Sequence, residues 1–359
     1  MSIWPVTGLT LECFPPVPEH ISLPWDAADE YLLQESIKDS PSLILNERYG
    51  ALSCAMTNTI SWTDSFCARI AEEQNASRNK LAHPEQLSWN GLVQGPQKKD
   101  IEQILIRIPK QNDQLAAQLA LIATHYPQVT VILSGMAKHI PVSVLNWLEQ
   151  NADSYQQLPI QRKARVLKIQ GLHRFIGQQP KPKGFRLNGM SFSADAGVFC
   201  ADKPDPGAQV MIQHLPEGVE GTICDLGCGN GILSAHLARA NPKAQIIATD
   251  DSELATIAAA GNLEANGLAG SVRHGNILSA VAEPLDWIVC NPPFHDGHKQ
   301  LTNIALSMFN EARNRLNNNG TLQVVANRHL PYQKPLHRLF RSVRVVSQHP
   351  KFNVFECRP

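Results

Sequence analysis

The heptapeptide Asp225-Leu226-Gly227-Cys228-Gly229-Asn230-Gly231 joins a short apolar run over 221–226 to a helical stretch over about 232–240. Glycines at such a turn let the backbone fold back tightly and approach a ligand without Cβ clashes. The helix that follows presents unpaired N–H groups, which suit an anionic group. A chain built around this turn is directed toward a parallel sheet with crossover helices, and the downstream rhythm agrees. Residues 245–249 read as a second strand closed by Asp250-Asp251, 252–266 as an Ala-rich helix, 271–274 as a third strand and 286–290 as a fourth. An amphipathic helix is expected over 302–316, stopped by Asn317-Asn318-Asn319-Gly320. A fifth strand (321–326), a helix (335–340) and a hairpin (344–348 with 352–357) complete the pattern.

The glycines are spaced G-x-G-x-G, with an acid two residues before the first, so this is not the G-x-G-x-x-G dinucleotide fingerprint. The spacing resembles motif I of class I methyltransferases, in which a final antiparallel hairpin also closes the sheet. That resemblance implies S-adenosyl-L-methionine as cofactor, bound around Asp225, Gly227, Cys228, Gly229, Asn230 and Gly231. Asp250 ends the next strand, where a carboxylate can accept hydrogen bonds from both ribose hydroxyls. Asp251 is expected to cap the following helix. Asn276 follows the third strand, where the family contacts the adenine ring; an ordinary turn Asn is the alternative.

Asn291-Pro292-Pro293-Phe294 ends the fourth strand, on the edge where open α/β sheets bind ligands. The two prolines stiffen the loop and remove two N–H groups, leaving carbonyls that only accept hydrogen bonds. An exocyclic amino group is a poor nucleophile because its lone pair is delocalised into the ring. The Asn291 side-chain oxygen and the Pro292 carbonyl can each accept one of its N–H groups and turn the lone pair toward an electrophile. Phe294 can stack on a flat substrate. Asn291, Pro292, Pro293 and Phe294 are therefore the catalytic candidates, with Asn291 also against the cofactor. The tetrapeptide leaves the amine open: adenine N6, cytosine N4, guanine N2 and a glutamine amide all fit it.

The first half repeats this plan in a worn form. Ser42-Leu43-Ile44-Leu45 and Gly50-Ala51-Leu52-Ser53 parallel the glycine-loop strand and Gly231-Ile232-Leu233-Ser234. Residues 60–64 parallel 247–251, 104–109 parallel 288–293, and 130–139 parallel 321–329. Arg107-Ile108-Pro109 stands where the second half has Asn-Pro-Pro, and Asn46 to Gly50 keeps one glycine. The expected architecture is α/β, two tandem Rossmann-like class I methyltransferase domains with the N-terminal one degenerate. A Gly, Pro and Lys-rich stretch over 176–184 sets the boundary, giving a degenerate domain at 1–178 and a catalytic domain at 179–359.

Hydrophobic residues make up 43% of the 359, enough for real cores, and no apolar run reaches the length of a membrane span. The N-terminus lacks the order of a signal peptide. The eight cysteines match no metal-site spacing and suit a reducing cytoplasm, so neither metal nor membrane is expected. Formal net charge is zero, yet no acid lies between Asp153 and Asp195, where eight Lys and Arg fall. Basic patches on a neutral protein suit reversible grip of a phosphate backbone, or are simply solvated faces. Nothing in the sequence fixes an oligomeric state.

Several segments narrow the resemblance. Val289 to His295, Val325-Ala326-Asn327-Arg328-His329-Leu330 and Lys351-Phe352-Asn353-Val354 resemble the ribosomal RNA guanine-N2 methyltransferases of the bacterial RsmC and RlmG family. Residues 25–34, 43–46, 50–54, 163–165 and 213–216 resemble its RlmG, large-subunit branch. The resemblance spans nearly the whole chain and implies guanine-N2 methylation in 23S ribosomal RNA. It adds Phe199, Arg328, Lys163 and Arg165 as RNA-contact candidates and gives the first domain an RNA-gripping, supporting role. Two departures stand out. Val198-Phe199-Cys200-Ala201 lacks the Arg that relatives carry after the Phe and Ser, and His295-Asp296-Gly297 is closer to the small-subunit enzyme. A 16S rRNA enzyme, a protein glutamine methyltransferase and a non-catalytic RNA-binding factor are the alternatives.

Overall fold

The computed structural model describes residues 1–96, 100–293 and 299–359, without the side chains of 299–302 and 348. The chain divides into two compact units, Met1–Lys181 and Pro182–Pro359. Each is built on a seven-stranded mixed sheet with the same topology.

In the second unit the sheet runs in the order Ser271–His274, Gln245–Asp250, Thr222–Leu226, Leu285–Cys290, Leu316–Asn327, Phe352–Arg358, Ser342–Gln348. The first five strands are parallel and the last two form the antiparallel closing hairpin. Strand alternation explains the layering, since successive side chains point to opposite faces. Leu226, Ile288 and Val324 pack with Ala305, Met308 and Phe309 of helix Lys299–Arg315. Their neighbours Ile223, Val289 and Val325 pack on the other face with Leu233 and Leu237 of helix Ile232–Ala240. Each fully buried Val, Leu or Ile contributes about 1.5–3 kcal/mol.

The first unit repeats the order strand for strand: Glu85–Gln86, Thr59–Trp62, Ser42–Leu45, Gln103–Arg107, Thr130–Met136, Ala164–Gln170, Ser154–Gln157. The duplication reaches atomic detail. Gly50 and Gly231 both adopt positive φ, 72° and 78°, at the start of the helix after the central strand. A Cβ on Gly50 would lie 2.6 Å from Glu72 Cα, and one on Gly231 would lie 2.8 Å from Ala259 Cα. The helices Phe66–Arg78 and Glu253–Ala265 thus make the same close approach in each unit.

Two local expectations are corrected. Ser252, not Asp251, caps the helix Glu253–Ala265: its side chain accepts from Ala255 N, because it stands one residue nearer the first free N–H groups. Asn317 to Gly320 does not form a stop between helix and strand. Helix Lys299–Arg315 passes directly into the strand Leu316–Asn327, and the polar stretch sits in it as an irregularity between the Leu285↔Leu316 and Trp287↔Thr321 pairs. The linker stretch ends in an antiparallel hairpin, Lys183–Leu187 with Met190–Ala194.

Candidate active site

Register places the predicted residues side by side. Leu226 pairs with Thr249 on one side and with Cys290 on the other. One step further, Gly227, Asp250 and Asn291 gather at the carboxyl edge of the sheet. Gly227 N and Cys228 N donate to Thr249 O at 2.9 and 3.0 Å, which turns the loop back over that edge. Gly229 N donates to Asp250 Oδ2 at 2.9 Å, and Ser252 N to Asp250 Oδ1 at 2.9 Å, so the carboxylate is pinned. A Cβ on Gly229 would meet nothing within 4 Å among the described residues. Asn276 sits half-buried in the adjoining loop, stitched by Gly275 N to Asp250 O at 2.9 Å and Ser279 N to Asn276 O at 2.8 Å.

Beneath the loop, Asp225 is fully buried. Its Oδ2 accepts from Ser234 Oγ at 2.5 Å, while Oδ1 is buried with no partner among the described residues. Burial pushes this carboxyl up to about 7. Asn230 is spent inside the fold: its Nδ2 donates to Cys200 O at 3.1 Å and its Oδ1 accepts from Ile232 N at 3.3 Å. It ties the glycine loop to the 199–205 segment and leaves only backbone for a ligand. Cys228 is buried and its thiol is pushed well up by burial.

The Asn291 side chain donates through Nδ2 to Asp205 Oδ2 at 3.0 Å. Its Oδ1 is screened from solvent and has no partner among the described residues. Pro292 is buried and Pro293 exposed; Phe294 and His295 lie outside the described residues. Asp205 caps the helix Pro206–Ile212, accepting from Ala208 N at 2.8 Å. Sequence reading passed over Asp205, although Asp-Pro-Gly is a helix-start signature with the cap followed by Pro at the first helical position.

Comparison with known proteins settles the family. The chain is 34% identical to ribosomal RNA large subunit methyltransferase G of Shewanella oneidensis over 98% of both proteins. It is 34% identical to the protein of that name from Klebsiella pneumoniae, over 97% of this chain and 95% of that one. The chain belongs to the ribosomal RNA large subunit methyltransferase G family. Residues 189–356 match the methyltransferase small domain family, and residues 3–172 match the RLMG N-terminal domain family. A solved T. thermophilus 16S rRNA N2 G1207 methyltransferase, RsmC, in complex with AdoMet and guanosine, shares the fold. Its TM-score is 0.74 at 21% identity, over 93% of this chain and 92% of that one.

For this member of the methyltransferase G family, the remaining candidates are distributed unevenly. Phe199 is 58% exposed beside the Cys200 carbonyl that holds Asn230. Ala201, where an Arg was expected by resemblance, is buried. Arg328 is exposed just beyond the fifth strand, its N–H on Lys351 O at 3.0 Å. Lys163 and Arg165 belong to the first unit: Lys163 is exposed, while Arg165 Nε is buried without a partner among the described residues. The basic stretch is partly neutralised, because Arg162 pairs with Glu30, Lys168 with Glu35 and Arg174 with Asp153.

At the equivalent place in the first unit a cavity of about 400 Å³ is lined by Asp26, Asp29, Glu47, Arg48 and Tyr49. Arg107, at the position of Asn291, grips Asp26 through two bonds of 2.9 Å and also reaches Asp29 at 2.9 Å. Glu47, in the loop that replaces the glycines, caps the helix Ala51–Ala55 through Leu52 N and Ser53 N, at 2.8 and 3.1 Å. Burial, then the charge of nearby Glu72, pushes the Glu47 carboxyl up to about 8, and burial raises Glu72 as well. Between pH 4.5 and about 8 the folded unit therefore holds a proton that the unfolded chain has released. That stabilisation is complete below pH 4.5 and is lost as pH rises through about 8. The thermal midpoint is expected to drop by about 5 °C between pH 6 and pH 9, with a flatter slope in Glu72→Gln. Equal slopes in the two proteins would refute the assignment.

Proposed function

We infer that this chain transfers the methyl group of S-adenosyl-L-methionine to the exocyclic N2 of a guanine in large-subunit (23S) ribosomal RNA, in the cytoplasm. The Asn291 amide carries the reading: its Nδ2 is anchored on Asp205, and its Oδ1, at the sheet edge beside the glycine loop, has no partner among the described residues. The named relatives supply the RNA, and the structural neighbour, which acts on guanosine N2 with AdoMet, supplies the amine and the cofactor.

The residues present fit the cofactor. Gly229, with nothing near its Cβ position among the described residues, leaves room for a ligand, and Asp225 Oδ1, without a partner among those residues, is an acceptor that an ammonium group would satisfy. Asp250 would take the ribose hydroxyls and the Asn276 loop would border the adenine. When bound, the cofactor supplies a methyl group already activated by its sulfonium. Asn291 Oδ1 and the Pro292 carbonyl accept the two N–H groups of the guanine amine and hold its lone pair in line. No base need act before attack; the extra proton leaves after the nitrogen has gained the methyl. The first unit serves RNA binding and support, with Lys163 and Arg165 as its contacts and Phe199 and Arg328 as those of the second unit.

Asp250→Ala is expected to weaken cofactor binding on the order of 10²-fold in isothermal titration, the loss of two charge-assisted hydrogen bonds. Unchanged affinity would confine Asp250 to holding Gly229 N and Ser252 N. The function itself is tested by incubating unmodified 23S and 16S rRNA with labelled cofactor and digesting to nucleosides. One N2-methylguanosine in 23S rRNA is expected; label in 16S rRNA alone, or in another nucleoside, overturns the reading.

A further inference from the structure

We propose that Asp205 is a positioning residue for methyl transfer: its carboxylate turns the Asn291 amide so that Oδ1, and not Nδ2, meets the substrate amine. The proposal deepens the reading above and rests on it. An Asn side chain has two nearly isosteric ends, one a donor and one an acceptor. Turned the wrong way, Asn291 would offer N–H groups to an amine that itself needs acceptors, and alignment would be lost. Nothing within Asn-Pro-Pro decides between the two orientations.

Asp205 decides it. Its Oδ2 lies 3.0 Å from Asn291 Nδ2, and the reversed amide would set oxygen against carboxylate oxygen. The same Oδ2 accepts Ala208 N at 2.8 Å, so the helix cap holds the carboxylate in place. Gly207 keeps the space clear: a Cβ there would stand 3.0 Å from Asp205 Oδ2, 3.3 Å from Asn291 Oδ1 and 3.5 Å from Phe352 Cε1. A hydrogen bond from Nδ2 to a carboxylate also polarises the amide and makes Oδ1 a better acceptor.

The first unit gives an independent view of the same device. There Asp26 caps the helix Ala27–Glu35, which precedes the central strand as Pro206–Ile212 does in the second unit. Asp26 also holds Arg107, the counterpart of Asn291, through both its oxygens. A helix-capping carboxylate that fixes the side chain at the end of the fourth strand is thus present in both copies. In the first unit it holds a cation in place of an amide.

The test separates capping from positioning. Ser at 205 is an effective cap but one bond too short to reach Asn291, whereas Asn at 205 keeps an acceptor oxygen at the original length. With the full-length protein and 23S rRNA, Asp205→Ser is expected to lower kcat on the order of 10²-fold. KM values for RNA and cofactor, and the thermal midpoint, should stay close to wild type. Asp205→Asn should recover most of the loss, and Asp205→Thr serves as a second capping variant if the Ser protein folds poorly. In an Asn291→Ala background, Asp205→Ser should cost little more, because both act through one amide. The proposal is overturned by a normal kcat in Asp205→Ser, by an equally deep loss in Asp205→Asn, or by multiplicative losses in the double variant. Near-normal activity in Asn291→Ala alone would instead remove the parent reading of Asn291.

Discussion

Asn291→Ala is expected to lower the rate of methyl transfer about 10³-fold while the dissociation constant for S-adenosyl-L-methionine changes by no more than about threefold. The scale is that of deleting one preorganised polar partner of a reacting group, on the order of 3–4 kcal/mol. The amide makes no contact that the cofactor loop needs: Gly227 and Cys228 hang from Thr249 O, and Gly229 from Asp250. Its side chain bonds to Asp205, whose cap bond from Ala208 N does not involve it, so truncation leaves the helix cap intact. Single-turnover transfer of labelled methyl to 23S rRNA, beside calorimetric cofactor titration, measures both quantities. Full activity would mean that the amine is oriented by other groups.

The second large effect is on stability. Gly231→Ala should destabilise the second unit by about 2–5 kcal/mol. One part is the left-handed backbone, at φ 78°, which costs a residue with a Cβ roughly 1–2 kcal/mol. The other is overpacking, about 1–3 kcal/mol, since the new Cβ would lie 2.8 Å from Ala259 Cα, a backbone atom that cannot swing aside. A fall of roughly 10 °C in that unit's thermal midpoint is expected. Gly50→Ala should do the same to the first unit, where the obstructing atom is Glu72 Cα at 2.6 Å. A midpoint unchanged in both variants would show that the two helices can draw back, contrary to the shared close packing.

Much of the catalytic half was legible because its signals are local. The helix Ile232–Ala240 falls where the glycine loop and the following apolar residues place it, and the strand Ser271–His274 was marked by its short run between turns. The worn repeat was legible in the first half because a sheet needs its apolar strands even after its loops have lost their chemistry. What was missed is equally specific. Asp251 and Ser252 are both good caps by type, and only the backbone geometry chose Ser252. Asn317 to Gly320 has the composition of a turn, yet pairing of Leu316 with Leu285 carries the strand through it. The grip of Arg107 on Asp26 and Asp29 in the first unit depends on side chains brought together from distant parts of the chain.

The sequence by itself determined the order of strands and helices from 221 onward, the glycine loop and the placing of Asn291 after the fourth strand. These follow from periodicity and from residues adjacent in the chain. Only the tertiary structure decided which atom of Asn291 is left free. That choice belongs to Asp205, 86 residues earlier, and the donor and acceptor ends of an amide are told apart only by the partner brought within 3.0 Å of one of them.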